Sequence, residues 1–168
     1  MILNIFNFAA NKCRDMIQRI QTFYLIVADL LVASLLFLPL AVLTDKSGTF
    51  YHLNATGVFK DGVEGAAIQN SWPILGLISL IMVAIIFTIF QFRNRSGQIK
   101  LAYINILLLI CLIVVIYFFA WNGSNALGGN YYLKLQTSFP LVAAVFTYLA
   151  IRGIARDENL VKSIDRIR

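Results

Sequence analysis

Four apolar helices crossing a membrane as an all-α bundle, with both chain ends on the cytoplasmic side, form the fold class this sequence predicts. Three observations carry it. The chain of 168 residues is 60% hydrophobic and 13% charged, with a mean hydropathy of +0.78. Soluble domains run nearer 45–50% apolar and about 25% charged, so a hydrocarbon surrounding is needed to absorb the excess. Four segments approach the roughly 20 apolar residues that cross about 30 Å of hydrocarbon. The lysines and arginines gather on one set of connections, as membrane topology requires.

Residues 1–15 precede the first span. Met1–Ala10 is apolar but broken at Asn4 and Asn7, and Lys12 and Arg14 follow it rather than precede it. It therefore does not read as a cleavable signal, and the first span is expected to target the protein itself. Asn4, Asn7 and Asn11 make one polar stripe at helical spacing, which fits an interfacial segment. An upstream extension, with Met16 as the start of the core, is the competing reading.

The first predicted span, Thr22–Leu43, carries one charge, Asp29; the second and third, Ile74–Phe92 and Leu101–Trp121, carry none. The fourth, Phe139–Ile154, is the shortest and has Arg152 near its end, where the guanidinium can snorkel to the headgroups. Ser71 is the expected cap of the second helix, with Trp72 at the interface and Pro73 in the first turn. Asn122-Gly123-Ser124-Asn125 is read as the breaker after the third helix. Thr137 or Ser138 is expected to cap the fourth, before Pro140.

Orientation follows from the basic residues. Lys12, Arg14, Arg19, Arg93, Arg95, Lys100, Arg152, Arg156, Lys162, Arg166 and Arg168 fall on one side; Lys46, Lys60 and Lys134 fall on the other. Eleven against three makes the first side cytoplasmic. The same placement explains the net charge of +6 without a nucleic-acid partner. Arg93–Lys100 is short enough to make a tight hairpin of the second and third helices. In the outer connection Asp45–Asn70, Thr49–Leu53 and Val58–Lys60 flank Asn54-Ala55-Thr56-Gly57 and read as a small extracytoplasmic β-hairpin. Tyr131–Gln136 reads as a third strand. Irregular loops are the alternative.

The start of the core, Met16-Ile17-Gln18-Arg19-Ile20-Gln21-Thr22-Phe23-Tyr24-Leu25, resembles that of an uncharacterised Bacteroidota family of four-helix membrane proteins, a domain of unknown function. Its end does too, in Arg152-Gly153-Ile154-Ala155-Arg156-Asp157-Glu158 and Val161–Arg168. Between these ends the likeness is one of hydropathy, and residues 1–15 lie outside it. The resemblance implies a multi-pass protein of the bacterial inner (cytoplasmic) membrane and no particular activity. In such a setting Asn54-Ala55-Thr56 and Asn122-Gly123-Ser124 are turn residues rather than glycosylation sites.

Asp29 is the strongest single-residue signal. A carboxylate well inside a helix costs roughly 2.5–3.5 kcal/mol on insertion scales. It lies roughly 10 Å along its helix from Thr22, and Thr88, Asn105 and Tyr148 lie roughly 6 Å in from the cytoplasmic ends of the other three. These four, with Arg152 as a partner for Asp29, define a candidate intramembrane polar layer. It serves either as a proton or cation site or as a packing device, and the second reading is favoured.

No other chemistry stands out. His52, the single histidine, is read as a surface residue; Asp45, Asp61 and Glu64 lack metal-ligand spacing. No nucleophile has a neighbouring base. Cys13 and Cys111 lie at different depths and are not expected to pair, Cys111 being read as a small buried hydrophobe. No cofactor is expected. The tail 156–168 is amphipathic, with Leu160, Val161, Ile164 and Ile167 on one helical face for a cytoplasmic partner or for anionic headgroups. The expectation is a non-enzymatic membrane subunit or scaffold acting through membrane or cytoplasmic protein partners. The alternative is a small ion- or proton-coupled transporter centred on Asp29, and a lipid-modifying enzyme ranks last.

Overall fold

The computed structural model describes residues 20–62, 67–91 and 94–165, with side chains up to Arg156. Its elements in chain order are α1 (Ile20–Ser34), β1 (Ala41–Thr44), β2 (Phe50–Leu53), β3 (Gly57–Lys60), β4 (Gln69–Asn70), α2 (Trp72–Phe90), α3 (Arg95–Leu127), β5 (Tyr131–Leu133) and α4 (Phe139–Asp165), the last entered through a 3₁₀ turn, Leu135–Ser138. The expected segment 1–15 and the side chains of Leu160, Val161, Ile164 and Ile167 lie outside the described residues. Among the described residues, three helical stretches are long and apolar enough to cross a membrane: Trp72–Phe90, Arg95–Leu127 and Leu135–Arg156. The remainder is a small antiparallel sheet.

Each helix buries a stripe at alternating spacings of three and four. On α1 it is Gln21, Leu25, Ala28 and Val32, continued by Leu35 in the turn that follows; on α2, Ile74, Ile78, Ile81, Ile85 and Thr88; on α3, Gln98, Ala102, Asn105, Leu109, Leu112 and Ile116. On α4, Ala143, Thr147, Ala150 and Ile154 continue the pattern. Such seams pack helices nearly parallel or antiparallel, knob into hole. Buried residues of all four helices and of the sheet form one apolar cluster. α3 packs against both α2 and α4. α1 meets α4 where the rings of Tyr24 and Phe146 are 6.1 Å apart, and where a Cβ on Gly153 would lie 2.9 Å from Gln21 Cγ. The opposite faces stay apolar and exposed, as Val83, Phe87, Leu107, Ile110 and Val114 illustrate. That is the surface a lipid environment covers. Trp72 and Trp121, both exposed at the sheet end, suit its interface.

The first helix is shorter than expected. It tightens through three successive i→i−3 bonds, from Leu35, Leu36 and Phe37 to Val32, Ala33 and Ser34, and then stops. Ala41–Leu43, predicted as its last turn, are strand. Pro39 holds the chain extended just before them, and β1 finds partners on both sides. Hydropathy cannot separate these outcomes, because the residues are apolar in either.

The sheet runs β4-β3-β2-β1-β5, antiparallel throughout. The expected β2–β3 hairpin is present, and the expected third strand, β5, pairs with β1. Ala41, Leu43, Tyr51, Leu53 and Val58 point into the core, while Tyr132, Val42, His52 and Phe59 run across the other face. Two backbone carbonyls pin the sheet to the helices. The Leu40 carbonyl accepts from Lys134 N (3.0 Å) and Thr137 Oγ1 (2.6 Å). The Gly129 carbonyl accepts from Ser124 Oγ (2.7 Å). On β5, the Tyr131 hydroxyl hydrogen-bonds Tyr117, which with some desolvation lifts its pKa above the ordinary tyrosine value.

Other boundaries moved for local reasons. Asn122-Gly123-Ser124-Asn125 does not break α3, which runs to Leu127 and ends at left-handed Gly128 (φ 67°). Gly123 brings α3 close to the sheet: a Cβ there would sit 3.0 Å from Leu43 Cδ1, which would have to give slightly. Ser71 occupies the cap position of α2, but its buried hydroxyl makes no capping bond or other hydrogen bond. Thr137 does not cap α4 because its hydroxyl serves Leu40. Asn94 caps α3, its side chain accepting from Gly97 N at 3.1 Å. Cys111 is exposed, not buried, one position out of phase with the seam residue Leu112.

Candidate functional site

The predicted polar layer is best followed helix by helix. Near the end of α2, Thr88 is fully buried and donates to the Ala84 carbonyl at 2.7 Å, a bond that a helical threonine reaches readily. Its oxygen also accepts from Asn105 Nδ2 of α3 at 2.9 Å. Two seam steps earlier on α3, Gln98 Nε2 donates to the Thr88 backbone carbonyl at 3.2 Å. Three buried polar side chains therefore clamp α2 to α3 beside the turn that joins them. Asn105 Oδ1 is buried without a partner.

Asp29 sits on the flank of the α1 seam, next to Ala28, and is half-buried. Its Oδ1 is buried without a hydrogen-bond partner, and among the described residues no ion pair reaches it. Arg152, the expected partner, is exposed. Tyr148, at 48% exposure, turns outward with it. The two lie four residues apart on the outer face of α4. The inner position belongs to Thr147, whose hydroxyl donates to Ala143 O of its own helix at 2.8 Å. The structure thus joins Thr88 to Asn105 and leaves Tyr148 and Arg152 outside the seam.

Three buried polar residues were not expected: Gln21, Gln98 and Thr147. All three obey the three-four spacing of their helices, whereas depth alone had selected Tyr148. Gln21 is held against Gly153 with its Nε2 unpartnered. Helical phase was the available signal; depth along the helix cannot distinguish Thr147 from Tyr148.

On the sheet, His52 Nε2 lies 3.5 Å from Asp61 Oδ1, a pair that sequence spacing did not suggest. Antiparallel pairing of β2 with β3 brings them together. His52 Nδ1 is buried without a partner. Among the described residues, no group of three or more His, Cys, Asp or Glu side chains gathers as metal ligands do. The chemistry on view is helix-to-helix hydrogen bonding within the bundle and an apolar, aromatic face on the sheet.

A family model described as a domain of unknown function (DUF4293) matches residues 17–167. No curated protein matches the chain.

Proposed function

The chain belongs to the DUF4293 family, and from that premise we propose that it is a four-span integral protein of the bacterial inner membrane, N-in and C-in, that acts through protein partners rather than by catalysis. The observation that carries this reading is the division of labour in the described residues. Gln98 and Asn105 of α3 both donate to Thr88 of α2, one to its carbonyl and one to its hydroxyl. The sheet and its edge, by contrast, keep Phe50, Tyr132 and the adjoining Ile68 exposed, beyond a 33-residue α3 that is longer than a span requires. The basic-residue bias supports the sheet as the outer side, and the fourth crossing is assigned to the segment that contains α1, whose described residues Ile20–Ser34 are apolar but shorter than a full span.

Crosslinking in native membranes, followed by mild-detergent purification, is expected to recover a stoichiometric partner whose attachment weakens when Phe50 and Tyr132 are replaced by serine. Recovery of a lone species under several gentle conditions would count against the reading. Topology is checked separately by a reporter active only outside the cytoplasm. It should work after Lys60 or Gly129 and stay silent after Gly97 or Arg168.

The transporter reading keeps one supporting observation, the buried and unpartnered Oδ1 of Asp29. It requires Asp29→Asn to abolish a flux in proteoliposomes while the protein stays folded. A normal cellular phenotype for that variant removes the site.

A further inference from the structure

A groove of about 540 Å³ opens between α3 and α4 beneath β5. That volume lies within the roughly 300–1,000 Å³ of small-molecule sites. Its walls are Ile113 of α3, Leu133 of β5, Leu135 of the 3₁₀ turn and Leu141 of α4; its polar rim is Lys134, Thr137 and Ser138. Ile113 precedes Trp121 by eight residues, so the apolar end reaches about 12 Å below the interfacial tryptophan. Leu135 is 79% exposed and Leu141 60%, so the groove faces outward from the bundle.

Lys134 is the unusual member. Of the three lysines on the sheet side, Lys46 adjoins Asp45 and Lys60 adjoins Asp61, but no acid lies near Lys134 in sequence. Among the described residues none of the three lysines is in an ion pair, so what sets Lys134 apart is its place on the rim of the groove. Its backbone N–H is committed to the Leu40 carbonyl, which fixes the residue at the groove's rim. The nearby Thr137 hydroxyl spends its proton on that same carbonyl, which leaves the Ser138 hydroxyl as the donor beside Lys134 on the rim. A cation beside the Ser138 hydroxyl, above an apolar slot running down into the hydrocarbon, suits an amphiphile with an anionic phosphate above an acyl chain.

We propose that this groove holds a single phospholipid of the sheet-side leaflet, its phosphate against Lys134 and Ser138 and one acyl chain along Ile113 and Leu141. The proposal rests on the membrane reading given above. The test is native mass spectrometry of the protein released from nanodiscs of phosphatidylglycerol and phosphatidylethanolamine. One retained phospholipid is expected for the wild type. Lys134→Glu should lower its occupancy about tenfold, equivalent to about 1.4 kcal/mol of binding, while Lys60→Glu leaves it unchanged. Ile113→Trp, which fills the slot without touching the rim, should lower it as well and serves if Lys134→Glu does not fold. Equal retention by Lys134→Glu or Ile113→Trp and wild type overturns the proposal. So does displacement of the lipid by millimolar inorganic phosphate, which would mark a soluble-anion site. Failure of the wild type to float with vesicles overturns the membrane reading and the site with it; flotation without selective retention overturns the site alone.

Discussion

The two ends of α3 are built on different principles. Near its start, the seam positions Gln98 and Asn105 are polar and reach α2 through hydrogen bonds. Near its end, the seam positions Ala120 and Gly123 are small, and contact is made by backbone closeness to the sheet. The media explain the contrast. Between helices in hydrocarbon there is no hydrophobic drive, because lipid tails are as apolar as leucine; hydrogen bonds and tight packing are what remains. In the proposed arrangement the sheet meets water, where burying Leu43, Tyr51, Leu53 and Val58 is favourable in itself and the limit is how near the backbones can come.

The largest expected effect is therefore at the sheet end. A Cβ on Gly129 would lie 1.6 Å from the Thr44 carbonyl oxygen, a backbone atom that cannot swing aside. Gly129→Ala should cost about 3 kcal/mol or more and free β5 from β1. Limited proteolysis between β1 and β4 should accelerate, while the helical circular dichroism in detergent is kept. Unchanged protease resistance would break the claim that closeness governs this end.

A smaller effect sharpens the other end. Interhelical hydrogen bonds in membranes average about 0.6 kcal/mol and reach about 1.7. Thr88→Val leaves both amide ends of Asn105 buried without partners, whereas Asn105→Leu removes the unpartnered Oδ1 along with the bond. Thr88→Val is therefore the more damaging of the two, within about 2 kcal/mol, by unfolding in mixed micelles. The reverse order would mean that the polar clamp is not what holds α2 to α3. The smallest effect belongs to Cys111, which faces away from the core. Cys111→Leu should change stability by no more than about 0.5 kcal/mol in the same assay. A larger loss would place a packing contact on a face that the bundle leaves bare.

Much of the architecture was legible in the residues. Uninterrupted apolar runs identified α2 and the core of α3, since length and hydropathy are what a bilayer selects. The alternating Thr49–Leu53 and Val58–Lys60 around turn residues identified the β2–β3 hairpin. The candidate layer was half legible: Thr88 and Asn105 were named by depth, and they meet. Tyr148 and Arg152 were named the same way and turn outward, because depth ignores the angle around the helix axis.

The sequence alone determined what depends on composition and local order: apolar helices, their approximate spans, the polar residues available to them, and the lysines flanking them. Tertiary structure decided the rest. Whether Ala41–Leu43 continued a helix or became a strand rested on partners far along the chain, β5 among them. Whether Asn122–Asn125 broke α3 rested on Leu43 closing over Gly123 and on Ser124 finding Gly129. Lys134 acquired a groove only when α3 and α4 converged beneath β5. Each of these is a pairing between residues distant in sequence, and its free energy exists only once the backbones have come together.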